Sequence, residues 1–145
     1  MAKVYDKTDL MWSKRGDLSL SHNGDISDTE LDPLRSVVQE IRKRVKYAIG
    51  ELKTAPRVGA SLKEFIGKPN NKSTAEAVKV RIISALSRDG LVNKNDLKVQ
   101  YAPIDKSTIM FRINLKVAPT SRNRGSEMLQ LSVVYNYSES NPYFI

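Results

Sequence analysis

Cysteine is absent from the 145 residues, and histidine occurs only once, as His22. The lack of cysteine excludes disulfides, thiolate metal sites and cysteine nucleophiles. A single histidine cannot form a histidine cluster, and its S-H-N-G-D context is typical of an exposed turn. No phosphate-binding glycine-rich loop, metal-ligand cluster or nucleophile–base pairing is visible in the sequence. We therefore expect no cofactor and no metal site.

Long hydrophobic runs and abundant aromatic residues are also missing. No run of eighteen apolar residues exists, so no segment is predicted to span a membrane, and M-A-K-V-Y-D-K-T-D-L lacks the apolar core of a secretory signal. Aromatic residues make up 7% of the chain and are not interleaved with its basic runs, which disfavours stacking platforms for single-stranded nucleic acid. The length favours a single domain with a real core.

Basic side chains are in excess, with 24 Lys and Arg against 16 Asp and Glu, giving a net charge of +8. Much of the excess lies in the runs R-K-R-V-K and S-R-N-R-G. One interpretation makes the first run the solvated side of an amphipathic helix. The alternative is a basic nucleic-acid-binding domain without sequence specificity. The solvated side would comprise Arg42, Lys43, Arg44 and Lys46, and the nucleic-acid surface Arg42, Lys43, Lys46, Arg122 and Arg124.

The strongest helical pattern follows Pro33. Apolar residues at spacings of three and four predict one amphipathic helix over residues 34–49. Asp32 suits the N-cap, Pro33 the first helical position and Gly50 a left-handed C-terminal cap. The buried face is predicted to comprise Leu34, Val37, Val38, Ile41, Val45, Ala48 and Ile49.

A loop and a short helix come next. Pro56 and Gly59 punctuate the loop, since proline fixes φ and glycine permits a left-handed residue. Ser61 is predicted to cap a short helix closed by Gly67 and Pro69. Its apolar residues are Leu62, Phe65 and Ile66.

A further helix is predicted to begin at S-T-A-E and to stop at Gly90. Ser73 and Glu76 stand three residues apart, as in a capping box. The buried stripe is predicted to comprise Ala75, Val78, Ile82, Ala85 and Leu86, widened by Val80 and Ile83.

After this helix the apolar period changes to two. Three runs alternate apolar and polar residues, over 97–101, 109–117 and 129–137, and a hairpin is predicted over residues 17–28 around H-N-G-D. One face of each strand is apolar and suited to a core. Burying each large apolar side chain stabilises the fold by roughly 1.5–3 kcal/mol, so the helices are expected to cover that face. The predicted fold class is α+β: a mainly antiparallel sheet of about four strands with helices packed on one face.

Both ends of the sequence are predicted to lie outside the domain, which we place at residues 17–138. Residues 1–16 form an N-terminal arm whose Trp12 could pack on this domain or anchor in another subunit. Residues 139–145 form a C-terminal tail. Its apolar residues, which need a surface to dock on in the same chain or a partner's, are Tyr143, Phe144 and Ile145.

The ordered set of motifs over residues 17–138 resembles one family. A G-D-I strand motif at residues 24–26 precedes the long helix, and a P-x-x-G-x-x-L signature runs from Pro56 to Leu62, with Gly50 before it and Ser61 inside it. The third helix and three strands follow in order. This arrangement is similar to the gp25-like or W-like baseplate proteins, the sheath initiators of contractile phage tails. Val58 departs from the aromatic residue of many relatives, and residues 90–92 from their Glu-Pro-Arg tripeptide.

The resemblance implies a non-enzymatic structural subunit in the baseplate of a virion, made in the host cytoplasm. It would link wedge and tube or hub proteins to the sheath, sit in a ring of copies around the tube, and template the first sheath layer. The implied mechanism is strand addition, in which a guest strand satisfies the free backbone groups of a sheet edge. Either of two long strands could be that edge, namely Ile109, Phe111, Ile113, Leu115 and Val117, or Leu129, Leu131, Val133, Tyr135 and Tyr137.

The loop at residues 50–59 has two interpretations. The structural one, which we favour, is that Pro56 and Gly59 turn the chain between helices. The functional one adds that the loop presents Glu51 and Arg57 to a neighbouring subunit, the contact residues being Gly50, Glu51, Pro56, Arg57 and Gly59.

A third function, lysozyme-like glycan hydrolysis, would need two carboxylates flanking a cleft, one of them held protonated. Glu51 is the nearest candidate acid. Asp89 or Asp105 would have to be brought to it by folding, and the single tryptophan offers little sugar platform. We expect no enzymatic activity.

Overall fold

The computed structural model describes residues 10–13, 17–20, 23–24, 33–117, 127–139 and 142–145. Two helices, α1 (Pro33–Lys46) and α2 (Lys72–Ser87), are joined by a loop and a short 3-10 helix, Leu62–Phe65. Two further 3-10 turns, Arg88–Gly90 and Lys94–Asp96, lead into the strands β1 (Leu97–Pro103), β2 (Thr108–Val117), β3 (Glu127–Asn136) and β4 (Tyr143–Phe144).

The strands form one antiparallel sheet in the order β1-β2-β3-β4. This confirms the predicted α+β class and the three strands read from the period-two pattern. The fourth strand comes from the tail, in its pairing of Phe144 with Val133 and Tyr143 with Val134. Tyr137 lies just beyond β3 but is still buried.

The core lies between the two helices and one face of the sheet. Alternate residues of each strand point into it, as the alternation predicts. The largest fully buried side chains of the sheet are Ile109, Phe111, Ile113, Leu115, Tyr135 and, just after β3, Tyr137.

Helix α1 begins at Pro33 as predicted, but it ends at Lys46 rather than near Gly50. The N–H of Ala48 donates to Glu51 Oε2 (2.8 Å) and that of Ile49 to Ser61 Oγ (2.9 Å). These side-chain acceptors replace the carbonyls that a continuing helix would use. Ile49 is therefore exposed, so its placement on the buried face was wrong, and Asp32, the predicted N-cap, lies outside the described residues.

Helix α2 buries the five residues predicted for its stripe, and Ile83 packs beside them. Its N-cap is Asn71, whose Oδ1 accepts the N–H of Thr74 at 2.8 Å, so the predicted Ser73 capping box is wrong. Val80 was also wrongly placed, because its side chain is 62% exposed.

Arg44 joins the two helices. Its residue is only 3% exposed, against the prediction that it lies on a solvated face. The guanidinium donates through Nη1 to the carbonyls of Ala85 (3.0 Å) and Arg88 (2.8 Å), and through Nε to Glu40 Oε1 (2.9 Å). Ala85 is in the last turn of α2 and Arg88 follows it directly, and carbonyls at the C-terminal end of a helix attract a cation. Burial raises the pKa of Glu40, but hydrogen bonds from Lys43 and Arg44 outweigh it and leave that pKa lowered.

The segment between the helices is fixed to the sheet. Ser61 stands before the 3-10 helix in a left-handed conformation without capping it, contrary to the prediction. Leu62 is buried and Phe65 partly buried, whereas Ile66 is exposed. The Leu62 carbonyl accepts the Tyr135 hydroxyl at 2.6 Å, and the Gly67 N–H donates to the carbonyl of residue 137 at 3.0 Å.

Only part of the predicted 17–28 hairpin can be compared. Residues 21–22 and 25–28, including Ile26, lie outside the described residues. Residues 17–20 lie antiparallel to residues 10–13, with Trp12 opposite Leu18. Leu18 and Leu20 are exposed and do not belong to the core.

We expect Arg44→Leu to lower the free energy of unfolding by about 3 kcal/mol, because the carbonyls of Ala85 and Arg88 and the partly buried Glu40 lose their charged donor. Lys43→Ala removes a partly exposed cation from the same Glu40, which keeps Arg44, and should cost about 0.5 kcal/mol or less. Urea unfolding of both variants checks this. Equal losses would mean that Arg44 does not fix the helices.

Tyr137→Phe should leave the protein as stable as before, or up to about 1 kcal/mol more stable, because the Tyr137 hydroxyl is buried without a hydrogen-bond partner among the described residues. Burial raises the pKa of Tyr137 from 10.0 to about 12. Below pH 10 the phenol is neutral in both the folded and the unfolded state, so its burial carries no ionisation penalty. As the pH rises from 10 towards 12, the unfolded state ionises more readily than the folded state, and the free energy of unfolding falls. Urea unfolding from pH 7 upwards should show that the free energy of unfolding falls less with rising pH in Tyr137→Phe than in the unmodified protein.

The matched control is Tyr135→Phe. It removes the hydrogen bond to the Leu62 carbonyl and should cost about 1–2 kcal/mol at neutral pH. If Tyr137→Phe were destabilised as strongly as this control, the account of an unpaired hydroxyl would be wrong.

Candidate functional site

The sheet order decides which strands can accept a guest. Strand β2 pairs with β1 on one side and with β3 on the other, so it is an interior strand. The expectation that the 109–117 strand is a sheath-binding edge is wrong, because both of its edges are already bonded. The described side chains named for it point into the core instead, namely Ile109, Phe111, Ile113 and Leu115.

Strand β1 is the open edge. The N–H of Ile104 donates to the Thr108 carbonyl at 2.9 Å, which makes these two residues a hydrogen-bonded pair. In an antiparallel ladder bonded pairs recur at every second residue, so the even-numbered residues of β1 bond to β2. Val99 and Tyr101 therefore direct both N–H and C=O away from the sheet, and no strand pairs with them among the described residues.

Strand β1 is fixed to the helical layer by its inward-facing side chains. The Tyr101 hydroxyl donates to Glu76 Oε1 of α2 at 2.7 Å, and this hydrogen bond, with burial, raises the pKa of Tyr101. Leu97 and Val99 are buried under the helices. An incoming strand would thus meet a fixed row of backbone groups.

Sequence reasoning did not select β1, although it contains two signals of an edge. Its second residue, Lys98, is exposed, and its last residue, Pro103, lacks an N–H. Lysine and proline are typical of edge strands, where they discourage indiscriminate pairing.

Strand β3 forms the other edge, and the tail covers it in part. Strand β4 pairs with Val133 and Val134, and the Ile145 N–H donates to the Ser132 carbonyl at 3.0 Å. No strand pairs with the outer side of residues 127–131 in the part of the chain that the structure describes. Strand β3 is thus an edge, as one alternative predicted, but a shorter open one than β1.

The tail docks within its own chain. Phe144 packs against the core, and the Arg42 guanidinium lies 5.7 Å from the centre of its ring. Tyr143 and Ile145 remain more than half exposed. Of the two docking surfaces left open for this segment, the structure provides one in the same chain.

The loop at residues 50–59 packs tightly against the end of α1, which agrees with the structural interpretation of its glycine and proline. A Cβ on Gly59 would lie 2.5 Å from the Tyr47 carbonyl oxygen, and Gly59 has a φ of 142° that other residues rarely adopt. The Pro56 carbonyl accepts the N–H of Gly50 at 2.8 Å.

Glu51 and Arg57, the two charged loop residues predicted to contact a neighbouring subunit, differ in their contacts. Glu51 accepts the Ala48 N–H and pairs with Lys63 at 3.1 Å, and these contacts lower the pKa of its carboxyl. Arg57 is exposed, and among the described residues only its carbonyl is engaged, by Arg88 Nη1. Unlike Glu51, Arg57 therefore has a side chain available to a neighbour.

Residues 10–13 of the arm contact α1 through Gln39. The Gln39 side chain accepts the N–H of Trp12 at 2.7 Å and donates to the Leu10 carbonyl at 3.2 Å, so its amide pairs with the arm as another strand would. The Trp12 ring is nevertheless 46% exposed. Its role as an anchor in another subunit stays a prediction.

The alternative functions find few free side chains. The proposed nucleic-acid surface is only partly free: Arg42 covers Phe144 and Lys43 pairs with Glu40, whereas Lys46 is exposed beside the Tyr47 ring. Arg122 and Arg124 lie outside the described residues. For glycan hydrolysis a protonated carboxyl is required. Glu51 has a lowered pKa, and so has Asp105, whose carboxylate accepts the N–H groups of residues 107 and 108.

Comparisons with protein-family models, curated proteins and solved structures give no match. Among the described residues, no helix has the length and apolar character needed to cross a bilayer, and no three His, Cys, Asp or Glu side chains are grouped as metal ligands would be.

We expect Gly59→Ala to lower the free energy of unfolding by about 3 kcal/mol, since the new methyl group collides with the backbone of residues 47 and 48. Gly50→Ala is the matched control. It has a φ of +86° but no atom within 4 Å of the added Cβ, so only the backbone strain of about 1–2 kcal/mol applies. Thermal unfolding that gave the same loss for both would contradict the close packing at Gly59.

Proposed function

We propose that the protein is a structural subunit of a contractile-tail baseplate that nucleates the sheath by accepting a strand from the sheath subunit. The observation that carries the proposal is the open edge of β1, where Val99 and Tyr101 present unpaired backbone groups on a rigid support. Backbone hydrogen bonds would provide affinity and alternate side chains specificity.

The order of elements supports the same proposal. Helix, tight glycine loop, helix and antiparallel strands occur in the order of the sheath-initiator family that the sequence resembles. The proposed acceptor edge differs from either strand favoured by the sequence alone, because β2 is interior and the tail covers part of β3.

The guest strand should alternate in polarity. One side of it would lie beside Leu97, Val99 and Tyr101 and face α2, while the other would lie beside Lys98 and Gln100. An apolar residue at every second position, with polar or acidic residues between, would satisfy both sides.

Other surfaces would serve the other partners. The exposed Trp12 and Arg57 are the side chains we assign to wedge, tube or hub proteins, in a ring of copies around the tube. No catalytic step belongs to this proposal.

Val99→Pro tests the edge directly. Proline removes the N–H that points away from β2, so no ladder bond is lost, but a guest strand loses a donor and meets the proline ring. The matched control, Val99→Ala, removes the side chain and keeps the N–H. We expect both variants to fold with similar stability, and only Val99→Pro to fail to nucleate the sheath subunit of the same system, as seen by electron microscopy of the co-assembled proteins.

Deleting residues 142–145 tests the other edge. This deletion uncovers β3 and leaves β1 untouched, so sheath nucleation should persist. If Val99→Pro nucleated sheath as well as Val99→Ala, strand addition at β1 would be wrong. If the deletion alone abolished nucleation, the acceptor would be the outer edge of β4, which the deletion removes.

A further inference from the structure

The face of the sheet opposite the helices, here called the outer face, is not covered by any described element. It is formed by the residues of each strand that alternate with the core residues. Aspartate and glutamate are absent from its described positions. These positions are Lys98, Gln100, Ala102, Thr108, Met110, Arg112, Asn114, Lys116, Met128, Gln130, Ser132, Val134, Asn136 and Tyr143.

Three cations of the outer face lie close together. The register pairs Lys98 with Asn114, so Lys98 is a diagonal neighbour of both Arg112 and Lys116. Diagonal neighbours in an antiparallel pair are about 7–8 Å apart. Like charges at this separation repel one another, and therefore the cluster favours an anionic partner.

No carboxylate of the described chain compensates this cluster. The described ion pairs use Lys43, Arg44, Lys63 and Arg81, and their acids belong to α1 and to the segment between the helices. The positive field of the outer face is thus directed at solvent, where it would attract an acidic surface.

An apolar row runs beside the cations. The register aligns Ala102 with Met110, Met110 with Val134, and Val134 with Tyr143, across all four strands. Ala102 and Tyr143 are exposed, and the two residues between them are half-buried. Apolar groups flanked by charges are what a protein–protein interface uses, with the apolar part central and the polar part at the rim.

The cations together with the apolar row favour an acidic protein surface over a nucleic acid as the anionic partner. A nucleic acid would engage the cations through phosphates, but single-strand binders also present several aromatic platforms, and this face has only Tyr143. We propose that the outer face binds an acidic protein surface that also carries apolar or aromatic side chains. The proposal concerns the face and not the edge, so it can fail while strand addition at β1 stands, and the reverse.

The experiment compares three probes by fluorescence anisotropy on the intact protein: a random copolymer of glutamate and tyrosine, polyglutamate, and random-sequence duplex DNA. The sheet variant is Lys98→Gln, Arg112→Gln, Lys116→Gln. The control variant, Lys53→Gln, Lys68→Gln, Lys72→Gln, removes the same charge from exposed positions elsewhere. We expect the sheet variant to lose at least about tenfold in copolymer affinity and the control about twofold or less.

The apolar row is tested by Met110→Gln with Val134→Thr. The unmodified protein should bind the copolymer more tightly than polyglutamate, and this variant should lose that preference while keeping its affinity for polyglutamate. Circular dichroism and urea unfolding establish that each variant is folded.

Three results would overturn the proposal. The first is an equal loss of copolymer binding in the sheet and control variants, which would reflect net charge alone. The second concerns DNA: if the sheet variant lost as much more DNA affinity than the control variant as it does copolymer affinity, the outer face would be a phosphate-binding surface. The third is copolymer binding no tighter than that of polyglutamate, or no binding at all.

Discussion

The buried guanidinium of Arg44 is the contact on which the rest of the architecture depends. It binds the C-terminal carbonyls of α2 from the side of α1 and is held in turn by Glu40. A charge can be buried only where its donors are satisfied, so this contact permits one relative placement of the two helices. That placement sets which face of the sheet they cover, and therefore which face remains open.

Several charged residues and a glycine near the helices make contacts within the chain that limit their availability to partners. Glu51 accepts a backbone N–H beyond the end of α1, Gly59 allows the chain to pass close to Tyr47, and Arg42 covers Phe144. The open backbone of β1 and the cations of the outer face are different, since nothing in the described chain uses them. The proposed role in assembly requires surfaces of this kind. Edge and face are perpendicular to each other, so the proposed guest strand and the proposed acidic surface would not compete for one site.

The helices and strands could be predicted because their signals are local. The buried stripe of α2 and the alternation in β1, β2 and β3 follow from the spacing of apolar residues within each segment. Apart from Val80 and Arg44, the errors in the helices lie at element ends. There, side chains from elsewhere in the loop compete for the backbone: Ser61 and Glu51 end α1 early, and Asn71 caps α2 in place of Ser73.

By itself, the sequence determined the α+β class, the three long strands and most of the core, since burial of one face of each element leaves a periodic signature in neighbouring residues. Only the tertiary structure decided that β2 is interior, that β1 is the open edge, and that the tail pairs with β3. It also decided that Arg44 is buried, because one of its acceptors, the carbonyl of residue 85, is 41 positions away in the sequence. Strand order and buried-charge partners arise from distant parts of the chain brought together by folding, so the local sequence does not determine them.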